Sequence, residues 1–306
     1  MCSEIYYKEL KNMSYYVSNQ QLISYKLDLS NYRPVSYAFS GCETEHYYLN
    51  SGHPLFFLVC EIVQIKNIFA HTVNYPFIPD GCISMIFSGA AGSGIFDKAY
   101  ICGTIDEAKK LQLAQSQDYL IIRYRPGFIA NILPYNLSAI KNRTLELSKS
   151  MDNGDRLLFI AGKELPLNEK ILQMSQILAR NYMLEYSSEY IIRYCLNKII
   201  QDNGNVFVAQ LAKETGFSER YIGKLFERYV GISPKMFAEI IKLQCSLRNI
   251  LQTESSYSLA DIANESGYYD HAHMNHAYHK FLSCSSGKIK EHGLAALEKI
   301  NMDSVL

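Results

Sequence analysis

Residues 211–226 and 262–278 repeat one pattern about fifty positions apart. The first copy opens Leu211-Ala212-Lys213-Glu214-Thr215-Gly216-Phe217, and the second opens Ile262-Ala263-Asn264-Glu265-Ser266-Gly267-Tyr268. Both read apolar-Ala-x-x-x-Gly-aromatic, with further apolar residues spaced for a second helix. A small Ala lets two helices cross closely, and Gly permits the positive φ of a tight turn between them. One copy fits any helical hairpin. Two copies joined by a helix-forming stretch restrict the end of the chain to tandem helix-turn-helix units, which points to DNA as the partner.

Local signals support that reading. Ser233-Pro234 places a capping hydroxyl before a proline at a first helical position and opens a helix to about Gln252. Ser258-Leu259-Ala260-Asp261 has the spacing of a capping box, and Ser218 and Asp270 stand where each second helix should begin. In such motifs the second helix enters the major groove and residues near its start face base edges. If Phe217, Ile222, Leu225 and Phe226 are buried, then Ser218, Glu219, Arg220, Gly223, Lys224 and Arg228 form the first candidate DNA-contacting set. If Met274 and Tyr278 are buried, the second set is Asp270, His271, Ala272, Asn275, His276 and Lys280. Arg220 and Lys224 suit guanine, and Asn275 suits a bidentate pair with adenine.

Charge does not add to this case. Residues 204–306 hold eleven Lys/Arg and eleven Asp/Glu, and the whole chain is formally neutral. Phosphate binding usually rests on a net basic face, so low non-specific affinity is expected and local placement must matter more than the sum. Four histidines fall between 271 and 279. His273 and His276 have metal-compatible spacing but no clear set of further ligands, so no metal is expected. Protonation of His271 or His276 beside DNA would instead add charge as pH falls.

Upstream the pattern changes. Residues 1–150 carry most of the prolines and short alternating segments. Ile83–Phe87 and Tyr119–Tyr124 read as strands bounded by Pro79-Asp80-Gly81 and Arg125-Pro126-Gly127 turns. Asp106–Gln115 and Pro126–Leu133 read as short helices inserted in the sheet. From about 155 to 202 the period becomes helical: Leu167, Ile171, Met174, Ile177 and Leu178 form one stripe. Tyr190, Ile191, Tyr194, Leu196 and Ile199 form another, and Asp202-Asn203-Gly204-Asn205 ends the segment. The first stripe suits either a homodimer seam or packing within the chain. Three regions follow: 1–150 β-rich, 151–203 a helical linker, and 204–306 all-α.

The 306 residues are 48% apolar, enough to bury cores in two domains. The apolar run Leu55–Cys60 is too short to span a bilayer, and no signal peptide is apparent, so a cytoplasmic chain without a membrane partner is expected. Eight cysteines lie without any Cys-x-x-Cys pair, which favours buried reduced thiols over metal or redox use.

Residues 205–290 resemble the DNA-binding domain of the AraC/XylS family of bacterial transcription regulators. The first repeat keeps the family's Gly-x-Ser/Thr-Pro ending as Gly231-Ile232-Ser233-Pro234. The second departs from it: Ser283-Cys284-Ser285-Ser286 fills that slot, Ile289-Lys290 replaces the usual Tyr-Arg, and His276 and His279 stand where basic residues are common. Residues 30 to 150 are similar to a sensor domain attached to such regions, on the segments Ile78–Phe87 and Ile121–Phe128. That similarity implies a cupin-like β-barrel or sandwich and a small-molecule effector, with Arg123 and Arg125 as an anion clamp or, alternatively, as exposed strand residues. His46, His53 and His71 lack the His-x-His pattern of metal-dependent cupin enzymes, so neither catalysis nor a cofactor is expected. The resemblance implies an α+β multidomain regulator that binds double-stranded DNA. Its competitors are a protein-binding regulator with little DNA affinity and a cupin-type small-molecule enzyme.

Overall fold

The structure, a computed structural model, describes residues 29, 32–36, 42–53, 55–66, 72–182, 189–252, 257–298, 300 and 302–304. Among the described residues, eight strands form the N-terminal part: β1 (Glu43–Tyr47), β2 (Val59–Lys66), β3 (Val73–Phe77), β4 (Ile83–Ala90), β5 (Lys98–Cys102), β6 (Lys109–Leu113), β7 (Gln117–Tyr124) and β8 (Thr144–Glu146). Six make an antiparallel sheet in the order β1-β2-β7-β4-β5-β8, and β3 pairs with β6 in a second, two-stranded sheet. This is the two-sheet, β-rich arrangement that the sequence implied. β7 lies between β2 and β4 and is buried along almost its full length, as is β4. A strand covered on both faces reads as a continuous apolar run, which is why Tyr119–Tyr124 lacks alternation.

Two expectations change here. Asp106–Gln115 is not helical: its Lys109–Leu113 core is β6, with Lys109, Leu111 and Leu113 buried alternately and paired in register with Phe77, Tyr75 and Val73. Pro126–Leu133 contains only a short 3-10 turn, Ala130–Ile132. Both segments hold too few residues for local propensity to outweigh what they pack against.

Ten helices follow among the described residues: α1 (Leu147–Ser150), α2 (Gly154–Ala161), α3 (Leu167–Tyr182), α4 (Glu189–Gln201), α5 (Val208–Thr215), α6 (Glu219–Tyr229), α7 (Pro234–Gln252), α8 (Leu259–Glu265), α9 (His271–Leu282) and α10 (Ser286–His292). Ile171, Met174, Ile177 and Leu178 are buried within the chain, and Leu167 packs against the same core. α3 contacts α2 and the 3-10 turn at 130–132. The first stripe therefore faces the chain's own core rather than a partner. On α4 the buried face is Ile192, Cys195, Leu196 and Ile199, while Tyr190 is exposed and Ile191 and Tyr194 are half-buried. The break follows with Asn203 and Gly204 both at positive φ.

α7 is the hub of the helical part. Eleven of its residues are buried, including Phe237 and Leu247. It also docks the helices onto the β-rich part. The Gln244 side chain accepts from the Val35 amide and donates to the Pro79 carbonyl, each at 2.7 Å, and Arg248 donates to the Arg33 carbonyl at 2.7 Å. A Cβ added at Gly81 would lie 2.5 Å from the Phe237 ring. Further along, the Ala108 amide donates to the Phe281 carbonyl at 2.6 Å and the Thr104 hydroxyl to the Val230 carbonyl at 2.5 Å.

No helix among the described residues is long and apolar enough to cross a membrane. Seven cysteines are unpaired thiols, six of them buried; Cys2 and His71 lie outside the described residues.

Candidate nucleic-acid interface

Each repeat folds as a helix, a turn and a second helix. α5 ends at Gly216 with φ +74°, and the turn after α8 passes through Gly267 with φ +78°, a conformation that an L side chain rarely adopts. Ser218 caps α6 by accepting from the Tyr221 amide, and Asp270 caps α9 by accepting from the His273 amide at 2.7 Å. Ser258 and Asp261 complete the expected capping box at α8, and the Ser233 hydroxyl accepts from the Met236 amide at the start of α7.

α6 buries Ile222, Leu225, Phe226 and Tyr229. Ser218, Glu219, Arg220, Lys224 and Arg228 are exposed, and Gly223 has open space where a Cβ would lie. At 3.6 residues per turn, Arg220 and Lys224 lie opposite the buried face. Phe217 does not join the core as expected. It is 42% exposed and stacks on Tyr221 with ring centroids 5.0 Å apart, at the edge of the turn.

α9 buries Met274, Tyr278, Phe281 and Leu282. Asp270, His271, Ala272, His276 and Lys280 are exposed, whereas Asn275 is half-buried. The Asn275 Oδ1 accepts from the Ser286 amide at 3.0 Å and from its hydroxyl at 3.2 Å, so this atom anchors α10 instead of standing free for adenine. The His271 Nε2 lies 3.1 Å from the same hydroxyl. Lys280 is paired with Glu239 at 2.6 Å. Spacing shows which residues share a face, but not that the Ser283–Ser286 segment folds back to engage two of them.

The two candidate clamp residues, Arg123 and Arg125, are neither an open clamp nor exposed. Arg123 is 7% exposed and ion-paired to Glu61 at 3.1 Å and to Asp80. Arg125 is 1% exposed and donates to the backbone carbonyls of Leu29 and Phe56, each at 2.7 Å, and of Val59. Arg123 lies on the central, covered strand β7 and Arg125 directly after it, and each guanidinium is satisfied by protein acceptors. The sequence missed the groups around Arg123. Glu61 also accepts from Ser36, from Tyr48 at 3.0 Å and contacts His46 Nδ1 at 2.8 Å. Burial pushes the Glu61 carboxyl up, but the His46 hydrogen bond, the Arg123 charge and the Ser36 hydrogen bond outweigh it and hold it at about 2. Burial opposes the Arg123 charge, yet Asp80 and Glu61 together raise its pKa well above the usual value. No group of three metal-ligating side chains occurs among the described residues.

Comparison with known proteins bears on both halves. A family described as a helix-turn-helix domain matches residues 211–292, and a domain of unknown function (DUF6597) matches residues 56–146. Among solved structures, the chain is similar to ToxT from Vibrio cholerae in its P21 crystal form, at TM-score 0.39 and 11% identity, covering 82% of this chain and 98% of that one. Unsaturated-fatty-acid-bound ToxT from Vibrio cholerae strain SCE256 gives TM-score 0.38 and 11% identity over 84% of this chain and 97% of that one. No curated protein matches.

Proposed function

We propose that this chain, which matches a helix-turn-helix domain family over residues 211–292, is a sequence-specific transcription regulator of the AraC type acting on double-stranded DNA. In this reading residues 204–306 bind DNA, 151–203 are a helical linker and 1–150 sense an effector. The observation that carries it is the pair of capped second helices, α6 and α9, each with an outward face free of the core. Arg220 and Lys224 are its primary base-reading pair. Ser218, Glu219, Gly223 and Arg228 flank them, and Asp270, His271, Ala272, His276 and Lys280 supply the second motif. The reading involves no catalysis and places the protein in the cytoplasm with its DNA.

The effector part of the proposal rests on the resemblance of residues 30 to 150 to a sensor domain; the Glu61–Arg123 cluster itself is internally paired. The β-rich part reaches α7 through the Arg33 and Pro79 carbonyls, which accept from Arg248 and Gln244, so a change in it would be felt at those two side chains. Mass spectrometry of a small molecule retained by the purified chain tests this part. A homodimer through the linker would use the outer face of α2 and α3, where Phe159 is 69% and Leu172 42% exposed.

Gel-shift titration on the region upstream of the protein's own coding sequence tests the main reading. Arg220→Ala is expected to lower specific affinity by about 1–3 kcal/mol and relax preference at one base position. An unchanged profile across a randomised site library would remove Arg220 from the reading set. A second reading, a protein-binding regulator with little DNA affinity, is favoured by the engagement of Lys280 with Glu239 and of Asn275 with Ser286. It predicts no shift even at low salt.

A further inference from the structure

The two second helices can be laid on one another by what they bury. Ile222, Phe226 and Tyr229 are core positions of α6, and Met274, Tyr278 and Phe281, each 52 residues later, are core positions of α9. At that offset Arg220 corresponds to Ala272, Lys224 to His276, Glu227 to His279 and Arg228 to Lys280. The outward face of α6 thus has three permanent cations. That of α9 has one, Lys280, and it is already paired with Glu239. Of the other two cationic places, one holds His276 and the other Ala272, while His279 stands in the place of Glu227.

The four histidines of α9 are not equivalent. The His271 ring reaches the Ser286 hydroxyl, and His273 Nδ1 accepts from the Tyr269 amide at 3.3 Å with its ring edge-on to Tyr268. The rings of His276 and His279 are exposed and have no hydrogen bond or ion pair among the described residues. Charged groups on the elements packed against α9 are Lys235, Glu239, Lys242 and Arg248 on α7, Asp261 and Glu265 on α8, and Lys288, Lys290, Glu291 and His292 on α10. Glu239 is taken by Lys280, Lys242 by the Gly267 carbonyl, Arg248 by the Arg33 carbonyl, Asp261 by its capping box and Lys290 by the Tyr257 carbonyl. Asp270 is spent on the His273 amide.

We propose that α9 is a pH-gated DNA reader, in which protonation of His276, with His279 beside it, supplies the cation that Lys224 supplies permanently on α6. The proposal rests on the DNA-binding reading above. Imidazole changes charge between about pH 5 and 8. DNA phosphates favour its protonated form, so binding takes up a proton and tightens as pH falls. The motif around α6 has no such switch, and the second half-site should therefore respond to pH alone.

The test uses the full chain on its selected DNA site, with anisotropy titration and hydroxyl-radical footprinting from pH 8 to pH 6 at constant ionic strength. Affinity is expected to rise about tenfold, the order of one charge-assisted phosphate contact, with added protection confined to the α9 half-site. His276→Gln/His279→Gln should flatten the profile at its pH 8 level, and His276→Lys should give tight binding at both ends. Both variants lie on the exposed face, and circular dichroism checks their folding. A flat wild-type profile, or an unchanged slope in the double variant, overturns the gate while leaving DNA binding intact. Failure of the wild type to bind at any pH overturns the DNA-binding reading and the gate with it.

Discussion

Glu61 is 1% exposed on β2 and shares Arg123 with Asp80, so its charge is folded into the core of the β-rich part. Its carboxyl is held at about 2, below its ordinary value, and the sign of the pH dependence follows. A depressed carboxylate contributes stability that is fully present above its unfolded value. That stability is lost as pH falls toward the folded one. Glu61→Gln is expected to lower stability at pH 7 by about 3 kcal/mol, because Arg123 then keeps only Asp80 as an anionic partner. The gap between wild type and variant should close between about pH 4.5 and pH 2, where Glu61 itself becomes neutral. Denaturant titrations at pH 7, 4.5 and 3 measure both; a gap that stays constant with pH would remove Glu61 from the acid limb.

At the scale of elements, α3 shows how a seam and a core face can share one spacing. An apolar stripe at three-and-four intervals states that a helix is covered, not by what. Here Ile171 and Met174 meet the chain's own core, at 6% and 1% exposure. Ile171→Glu is therefore expected to destabilise the protein by about 3 kcal/mol or more, through lost packing and a buried charge. Its sedimentation mass should not change. Melting temperature and analytical ultracentrifugation separate the two possibilities: a halved mass with native melting would return the stripe to a dimer.

Across the whole molecule, the helical and β-rich parts are joined by buried, directional contacts rather than by a linker alone. Gln244 satisfies one amide and one carbonyl of the opposite part while being 1% exposed itself. Gln244→Leu strands both groups at a cost of about 1–3 kcal/mol each. The expected outcome is separation of one cooperative melt into two calorimetric transitions, with DNA contacts at Arg220 retained. A single unchanged transition would show that Gln244 does not couple the two parts.

Sequence alone determined what is encoded within a few turns of chain. The tandem turns at Gly216 and Gly267 and the caps at Ser218, Ser233, Ser258 and Asp270 depend on contacts a few residues apart, and the apolar runs of β4 and β7 are legible between their flanking turns. The outward position of Arg220 and Lys224 follows from helical periodicity in the same way. Tertiary structure decided the rest. β6 is a strand because β3 lies beside it, and Arg123 is internal because Glu61 and Asp80 converge on it from separate strands and turns. Asn275 is spent because Ser286 folds back onto it. These outcomes depend on which distant residue supplies a partner for a buried polar group. Periodicity along one chain cannot specify that choice; only the closed fold, where every desolvated donor and acceptor must be matched, does so.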